Sequence, residues 1–405
     1  MDTNIVNIEG GVCAPAGFLA AAAHAAIKRI PSKKDDLAVV YSESPCIAAA
    51  VFTTNRVKAA PVQISRLHLR SPHHHGVILN SGNANACTGK IGLSHAKQMT
   101  HAIASALGHK PVHFLVCSTG RIGVPLPIEK ILQTIPSLVS RLSPHASHSA
   151  ATAIMTSDTF PKEAALQISS PNSSFRIGAI AKGAGMIAPN MATMLSVITT
   201  DAAIEKKLAQ SLLLSAVNQS FNRITVDGDT STNDSVILLA NGLSKTLISH
   251  QNPALLESFL SALQSICLHL AHLIVKDGEG TTRVVKILVE NAKSPNQAKK
   301  AAQAVANSIL LKCALAGADP NWGRILDALG YSGATFNPSR INLFYENLHV
   351  VKDGTAGPDA DSPQLKTIAE KKEFTIRIQL NSGSASHWLL TTDLTEEYVR
   401  LNLSE

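Results

Sequence analysis

Short apolar runs rich in β-branched residues alternate irregularly with longer stretches in which apolar residues recur at helical spacing. The apolar runs predict strands at 37–41, 47–52, 76–80, 112–117, 175–181, 194–200, 236–239, 284–289 and 374–380. The helical spacing predicts helices at 94–107, 204–219, 257–275 and 296–311, and the polar stretch 352–365 predicts a surface loop. This mixture is typical of an α+β or layered α/β protein.

Composition limits the class of protein further. The chain has 405 residues, of which 45% are hydrophobic and only 4% aromatic, so we expect a core built from Ala, Val, Ile and Leu. The net charge is +7, but the densest basic spots are the pairs 33–34 and 299–300, which argues against a nucleic-acid partner. A modest positive field suits a small anionic substrate.

The cysteines and the apolar segments bear on location. Six cysteines occur without a C-x-x-C pair, which favours reduced thiols in a cytoplasmic protein. No apolar span of about 18 residues and no signal peptide is evident, so we expect no membrane association.

A glycine-rich segment precedes the strand predicted at 194–200. Residues 183–188 read G-A-G-M-I-A and fit a dinucleotide fingerprint. That fingerprint requires a helix to open at once, so that the helix N-terminus meets the pyrophosphate. Pro189 would clash in such a helix, and the next predicted strand begins a few residues later, which disfavours a nucleotide site. The segment instead leads to a hydroxyl residue, Thr193, at the front of that strand.

Two polar clusters contain residue types that bind metals, but their spacing in sequence does not suit a metal site. The run His73-His74-His75 has no H-x-x-x-H or carboxylate partner nearby in sequence, and adjacent histidines point in different directions, so we predict an exposed loop. Residues 225–234 are dense in carboxylates and hydroxyls, but Gly228 is misplaced for a calcium loop and the closing Glu is absent. A hydrogen-bonded active-site loop is the alternative, and we assign no metal.

The strand predicted at 112–117 runs into Ser118-Thr119-Gly120. Such a turn exposes backbone N–H groups and a hydroxyl, which suit an oxyanion site. On this segment alone, an ordinary turn between strand and loop is the simpler interpretation.

Several segments together identify a family. In chain order they are 52–55 (F-T-T-N), 80–89 (N-S-G-N-A-N-A-C-T-G), 118–123 (S-T-G-R-I-G), 158–162 (D-T-F-P-K), 182–195, 222–234 and 319–324 (D-P-N-W-G-R). From Gly11 to Asn402 the chain resembles the glutamate N-acetyltransferase (ornithine acetyltransferase) family of arginine biosynthesis. The resemblance implies an N-terminal-nucleophile-like sandwich of sheets covered by helices, with a smaller C-terminal α/β lobe.

The resemblance also implies self-cleavage between Ala192 and Thr193. The α chain, 1–192, and the β chain, 193–405, would interlock in one core and assemble as an α2β2 heterotetramer. Cleavage would free the α-amine of Thr193, which titrates near ~7.7–8.0 and can act as general base for its own hydroxyl.

The implied reaction is ping-pong acetyl transfer from N-acetylornithine to glutamate through an acetyl-threonine ester. No cofactor is implied, and whether acetyl-CoA is a further donor stays open. The roles carried over are nucleophile for Thr193, oxyanion hole for Thr119 and Gly120, and substrate binding for Thr159, Lys182, Thr193, Glu279 and Asn402.

Two alternatives remain on the sequence. A threonine-nucleophile amidase or aminopeptidase would share the cleavage but use water as acceptor. An inactive binding homologue is suggested by the end of the sequence, where family members usually continue to a Ser or Thr that also contacts substrate. Ser404 lies too close to Asn402 to take that position without a rearranged tail.

Overall fold

The computed structural model describes residues 4–28, 32–171, 173–188 and 194–403. These residues form mixed helices and sheets, which confirms the predicted α+β class. The chain divides into two compact units. The first comprises 1–184, 190–222 and 230–274, and the second comprises 185–189, 223–229 and 275–405.

The regular elements of the described residues are numbered in chain order. The strands are β1 (Asn4–Asn7), β2 (Phe18–Ala23), β3 (Leu37–Phe52), β4 (His74–Asn80), β5 (Phe114–Ser118), β6 (Lys162–Ser170), β7 (Ser173–Lys182), β8 (Leu195–Thr200), β9 (Ala203–Ile204), β10 (Ser235–Ala240), β11 (Leu247–Ile248), β12 (Val284–Ala292), β13 (Asn342–Tyr345), β14 (Leu348–Lys352), β15 (Thr355–Ala356), β16 (Glu373–Gln379) and β17 (Ala385–Thr392). The α-helices are α1 (Ala60–His68), α2 (Gly89–Ala106), α3 (Ile128–Val139), α4 (Ser147–Ala153), α5 (Lys206–Asn218), α6 (Pro253–Lys276), α7 (Pro295–Ala306), α8 (Ile309–Ala316), α9 (Trp322–Gly330), α10 (Pro363–Ala369) and α11 (Glu396–Asn402). Short 3-10 helices occur at Gly11–Cys13, Pro111–His113, Phe221–Arg223 and Pro338–Arg340.

The long strand β3 connects two sets of strands in the first unit. Its first half pairs antiparallel with β2 and β4, and β4 pairs in parallel with β5. Its second half pairs with β10, from which the sheet continues through β8, β7 and β6 to β1. The strands predicted at 37–41 and 47–52 are therefore a single strand.

The two halves of this sheet face each other across an apolar core. Ala38 and Val40 of β3 pack in one cluster with residues of β8 and β10. Leu37 and Val39, which point to the other face because side chains alternate along a strand, pack with residues of α1, α2 and α3. On the far side of β7, Phe175 contacts Phe259 of α6 with ring centroids 5.6 Å apart. The result is a layered sandwich with helices outside, as the resemblance implied.

The second unit is the smaller lobe. Its sheet has the order β15-β14-β13-β16-β12-β17, in which β12 runs parallel to β16 and antiparallel to β17. Residues of α7, α8, α9 and α10 pack on this sheet in one core cluster.

Three predictions about the local structure of individual segments are wrong in the described residues. The helix predicted at 296–311 is two helices, because Ser308 accepts a hydrogen bond from Leu311 N–H and caps a new helix. The stretch 352–365 is not merely a loop, since it contains β15 and the start of α10. The histidine run is not an exposed loop, because His74 and His75 are buried at the start of β4.

Helix α6 corrects the expectation that no membrane-length apolar span exists. It is long and apolar enough to cross a membrane by length and composition, and 50% of that window is buried inside the molecule. Phe259, Leu263 and Leu270 of α6 are completely buried. Such a pattern is that of a helix packed in a protein core.

Candidate active site

Lys182 is buried at the end of β7, and polar groups surround its ammonium. Its Nζ donates to Thr156 Oγ1 at 2.6 Å and to Thr119 Oγ1 at 3.3 Å. Nζ also lies 3.6 Å from Asp158 Oδ2. The structure therefore brings Lys182, a predicted substrate-binding residue, together with Thr119, predicted for the oxyanion hole.

Asp158 connects the charged groups of this network. Its Oδ1 accepts hydrogen bonds from Lys162 Nζ at 2.8 Å and from Gly183 N–H at 2.7 Å. Burial raises the pKa of Asp158, but the ammonium groups of Lys182 and Lys162 outweigh that effect and hold the pKa below its usual range. One carboxylate and two ammonium groups leave a buried excess of positive charge, which favours an anionic ligand.

The Ser118-Thr119-Gly120 turn is tightly packed. Gly120 has φ +127°, and a Cβ there would lie 2.3 Å from the carbonyl carbon of Gly82, so the turn requires glycine. Thr119 N–H donates to the Asn80 carbonyl at 2.9 Å. The expectation that the turn exposes its backbone N–H groups is thus wrong for Thr119, which offers its hydroxyl instead.

Ala192 and Thr193 lie outside the described residues, as does Pro189. The chain is described again from Met194, whose N–H donates to Asp234 Oδ1 at 3.1 Å. Leu195 pairs with Lys182 in the ladder between β7 and β8. The described chain that follows Thr193 therefore begins beside the lysine network.

Asp234 is completely buried. Burial raises the pKa of Asp234 well above its ordinary value, and the hydrogen bond from Met194 N–H only partly opposes this. Its Oδ2 has no hydrogen-bond partner among the described residues. Burial therefore favours the protonated form of Asp234.

In the second unit, Glu279 and Asn402 are in direct contact. Asn402 Nδ2 donates to Glu279 Oε2 at 2.8 Å and to the Tyr398 carbonyl at 2.9 Å. A Cβ at Gly185 would lie 2.5 Å from Glu279 Oε1, so Glu279 occupies space that a side chain at 185 would need. Two more of the predicted substrate-binding residues are thus neighbours.

Asp227 holds the backbone that follows Gly185. Its carboxylate accepts the N–H groups of Met186 at 2.6 Å and Ile187 at 2.9 Å. Burial raises the pKa of Asp227 to about 6. Because its oxygens already accept backbone donors, this loop is a hydrogen-bonded turn and does not offer a calcium cage.

The structure also shows where the glycine-rich segment, the cysteines and Thr159 lie. Residues 183–188 form bends and irregular backbone after β7, and no helix opens among these six described residues. All six cysteines are free, and Cys87 and Cys313 are the exposed ones. Thr159 is exposed and follows Asp158 directly.

Sequence reasoning missed Asp158, Thr156 and Asp234 as parts of the site. Asp158 and Asp234 lie within the motifs that carried the resemblance, at 158–162 and 222–234. The spacing of Asp158 and Lys162, four residues apart, was a usable signal for an ion pair. No local pattern pointed to the contact between Asp234 and Met194.

Comparisons with known proteins identify the family of the chain. The ArgJ family model matches residues 19–404. The chain is 46% identical over 396 residues to the arginine biosynthesis bifunctional protein ArgJ of Symbiobacterium thermophilum, covering 98% of both chains. It is 46% identical over 387 residues to the protein of the same name from Geobacter sulfurreducens, covering 95% of this chain and 98% of that one.

Solved structures with the same kind of name are also similar. ArgJ from Bacillus halodurans is 36% identical, covers 47% of this chain and 100% of its own, and superposes with a TM-score of 0.45. Ornithine acetyltransferase complexed with ornithine, from Mycobacterium tuberculosis, is 42% identical, covers 46% of this chain and 98% of its own, and has a TM-score of 0.42. Superpositions at these scores do not define a fold by themselves.

The α+β architecture and the sequence matches define an acyltransferase of arginine biosynthesis. The chain belongs to the ArgJ family, and the match extends over nearly its whole length.

Proposed function

We propose that this chain is a glutamate N-acetyltransferase that transfers acetyl from N-acetylornithine to glutamate by a ping-pong mechanism on Thr193. The observation that supports it most is the buried network of Lys182, Asp158 and Lys162, which carries more positive than negative charge. Such a network favours a ligand with a carboxylate, and both amino-acid substrates carry one. The name of the Mycobacterium tuberculosis structure, which includes ornithine, agrees with this substrate class.

The first step we propose is self-cleavage. Thr193 Oγ attacks the carbonyl carbon of Ala192, the peptide C–N bond breaks, and the Thr193 nitrogen takes a proton. The resulting ester is hydrolysed by water, which leaves the Ala192 carboxylate and a free α-amine on Thr193. That amine has a pKa close to neutrality, so it can accept the hydroxyl proton in the next reaction.

In the first half of the transfer, Thr193 Oγ attacks the acetyl carbonyl of N-acetylornithine. A tetrahedral oxyanion forms, and it collapses as the C–N bond breaks and the leaving nitrogen takes the proton from the Thr193 amine. We assign the Thr119 hydroxyl and the Gly120 N–H to this oxyanion. Loss of one such donor typically costs about 10²–10³ in rate.

In the second half, the amine of glutamate attacks the acetyl-threonine ester. The ester C–O bond breaks, Thr193 Oγ regains a proton, and N-acetylglutamate leaves. Transfer in place of hydrolysis requires that the amine reaches the ester before water does. Occupation of the carboxylate site by glutamate would position the amine for this attack.

The recognition groups have complementary charges. We assign Lys182 to the α-carboxylate common to both substrates, and Glu279 to the side-chain ammonium of ornithine. Asn402 donates to Glu279 and would fix the orientation of that carboxylate. Thr159 is assigned to substrate binding by resemblance, and its exposure is compatible with that role.

Further properties follow from the family resemblance. We propose a cytoplasmic α2β2 heterotetramer of the two cleavage products. The relatives are named bifunctional proteins, and this supports a second acetyl donor for this chain, which we propose is acetyl-CoA. A donor assay that compares acetyl-CoA with N-acetylornithine on the cleaved protein tests this point.

Replacement of the nucleophile has the largest expected effect. Thr193→Ala removes the hydroxyl needed for both cleavage and transfer, so denaturing electrophoresis and intact mass should show one chain of 405 residues. Wild type should show fragments 1–192 and 193–405. Thr355→Ala, at an exposed position in β15, is the matched control and should be cleaved and active. Full activity in uncleaved protein would refute the proposal.

A second measurement separates transferase from hydrolase. Cleaved protein is incubated with N-acetylornithine, and ornithine release is measured with increasing glutamate. A transferase should release ornithine in proportion to N-acetylglutamate formed. Release that ignores glutamate would support the amidase alternative, and cleavage without any turnover would support the inactive homologue.

A further inference from the structure

Histidines gather at one end of the pair β4 and β5, the end opposite to the Ser118-Thr119-Gly120 turn. His73, His75 and His113 each present one ligand atom within 4.8 Å of the others. The ring of His109 lies 3.8 Å, between centroids, from that of His75. Among the described residues, this is the group of side chains suited to holding a metal ion.

The strand register explains why the histidines meet. Gly76 of β4 pairs with Phe114 of β5 in parallel, so the residues that precede this pair, His75 and His113, lie side by side. His73 and His75 are two residues apart, and extended backbone places such side chains on the same side. As expected from the sequence, the side chain of His74 points away from those of its neighbours. The side chains of His73 and His75 point to the same side and converge.

The loop before β4 is held in place by its own hydrogen bonds. Ser71 Oγ donates to the His73 carbonyl at 2.9 Å. Lys206 Nζ donates to the carbonyls of Leu69 and Ser71. This positions His73 before any ligand binds, which lowers the ordering cost of binding.

One imidazole is set in a metal-binding tautomer. His75 Nδ1 lies 3.0 Å from the Ser42 carbonyl, which can only accept, so Nδ1 carries the proton and Nε2 keeps its lone pair. A backbone carbonyl on the second ring nitrogen is the usual support of a metal-bound histidine. Nδ1 of His113 is buried and has no hydrogen-bond partner among the described residues.

The ring of His109 covers the cluster from one side. Its Nε2 is hydrogen-bonded to the Tyr41 hydroxyl at 3.1 Å, which holds the ring beside that of His75.

We propose that His73, His75 and His113 form a binding site for a divalent transition metal, with Zn²⁺ as the reference ion. Three imidazoles are a donor set for Zn²⁺, Ni²⁺ or Cu²⁺ and a poor one for Mg²⁺ or Ca²⁺. Metal–nitrogen bonds of about 2.0–2.1 Å require the ligand atoms to approach more closely than they do now. His73 and His113 are only partly buried, so side-chain rotation can supply this movement.

The position of the proposed metal site indicates a structural role. Its ligands lie at the N-terminal ends of β4 and β5, whereas Asn80 and Ser118 end the same strands next to Thr119. Five residues of strand separate the two ends, which is about 16 Å. A bound ion would link the loop before β4 to the turn before β5, and acetyl transfer would not depend on it.

The test uses full-length, tag-free protein treated with chelator, because a purification tag would bind metal itself. Calorimetric titration with ZnCl2 should show one strong equivalent in wild type. The double variant His73→Gln/His113→Gln should lose it, and each single variant should weaken it by roughly tenfold or more. The matched control, His101→Gln/His145→Gln, changes two exposed histidines elsewhere and should retain the equivalent.

Spectroscopy and thermal unfolding provide independent readouts. Co²⁺ should give the intense visible bands of a four-coordinate nitrogen site in wild type and control, and not in the double variant. Zn²⁺ should raise the melting temperature of wild type and leave that of His73→Gln less affected. Equal binding in all variants would indicate that scattered histidines or the exposed Cys87 and Cys313 bind the ion, and it would overturn the proposal. Absence of binding in wild type would also overturn it.

Discussion

Asp158 and Asp234 are both buried in the first unit, and their surroundings shift their pKa values in opposite directions. Two lysines neighbour Asp158 and hold its pKa below the usual range, although burial alone would raise it. Asp234 has a backbone N–H at 3.1 Å and no ammonium in hydrogen-bonding contact, and burial raises its pKa well above the ordinary value. The pKa values of the two buried carboxyl groups are thus shifted in opposite directions.

The difference shows that burial by itself does not decide the charge of a carboxyl group. A buried carboxylate persists where cations and N–H donors replace its hydration, and otherwise it keeps its proton. The Lys182 region is therefore charged and suited to an anionic ligand. The region at Met194, which directly follows Thr193 in the chain, instead contains a carboxyl group whose protonated form is favoured by burial.

Among the substitutions that test the comparison of the two aspartates, Asp158→Asn should have the largest effect. The substitution leaves Lys162 and Lys182 buried without a counter-charge, so we expect a loss of about 3–5 kcal/mol in the free energy of unfolding. Urea unfolding of the purified protein measures this. The same exchange at Asp234 is the matched control, and equal losses at both positions would contradict the assigned directions of the pKa shifts.

Lys182→Met should have an intermediate effect, mainly on substrate binding. Asp158 keeps Lys162 at 2.8 Å, so the remaining pair is balanced and the fold should survive. Loss of a charged hydrogen bond worth about 1.5–3 kcal/mol predicts a roughly 10- to 150-fold rise in KM for both amino-acid substrates. Lys162→Met, which removes the other ammonium, is the control and should affect stability more than KM. An unchanged KM in Lys182→Met would remove Lys182 from the site.

The smallest effect should come from Asp234→Asn. A protonated acid and an amide have similar shape and no charge, so we expect a change below about 1 kcal/mol in the free energy of unfolding near pH 4. The pH dependence is more informative. A raised folded pKa contributes stability below the unfolded value of about 3.9 and loses it as pH rises through the folded pKa.

The two aspartates should therefore give opposite pH slopes. Asp158, with a lowered folded pKa, contributes stability above a pH of about 4 that is lost as pH falls through its folded pKa. Unfolding titrations of wild type and the two Asn variants across this range measure both slopes. In Asp234→Asn, the free energy of unfolding should fall less as pH rises than it does in wild type. If the contributions of the two aspartates had pH slopes of the same sign, the assigned directions of their pKa shifts would be wrong.

Much of the fold could be predicted from local patterns. Apolar β-branched runs located β5, β8, β10 and β12, since a buried strand needs little more than such a run. The alanine-rich β2 escaped prediction because alanine has no strand preference, yet it fits between closely packed layers. The helix predicted at 296–311 failed where Ser308 capped a second helix within an otherwise regular pattern.

The candidate site, like the fold, could be predicted only in part. Its ordered motifs were visible along the sequence and identified the family and the residues Thr119, Lys182, Glu279 and Asn402. The contacts between Lys182 and Asp158, between Met194 and Asp234, and between His75 and His113 were not visible. Each joins residues 24 to 40 positions apart, and only the strand register brings such residues together.

The sequence alone determined the mixed class of the fold, the family and the hydroxyl proposed as nucleophile, because these depend on residue type and order along the chain. The tertiary structure alone decided which buried carboxyl has a lowered pKa and which a raised one. It also decided that the Thr119 N–H is already hydrogen-bonded and which histidines converge. Charge and hydrogen bonding depend on distances and burial, and those exist only after the chain has folded.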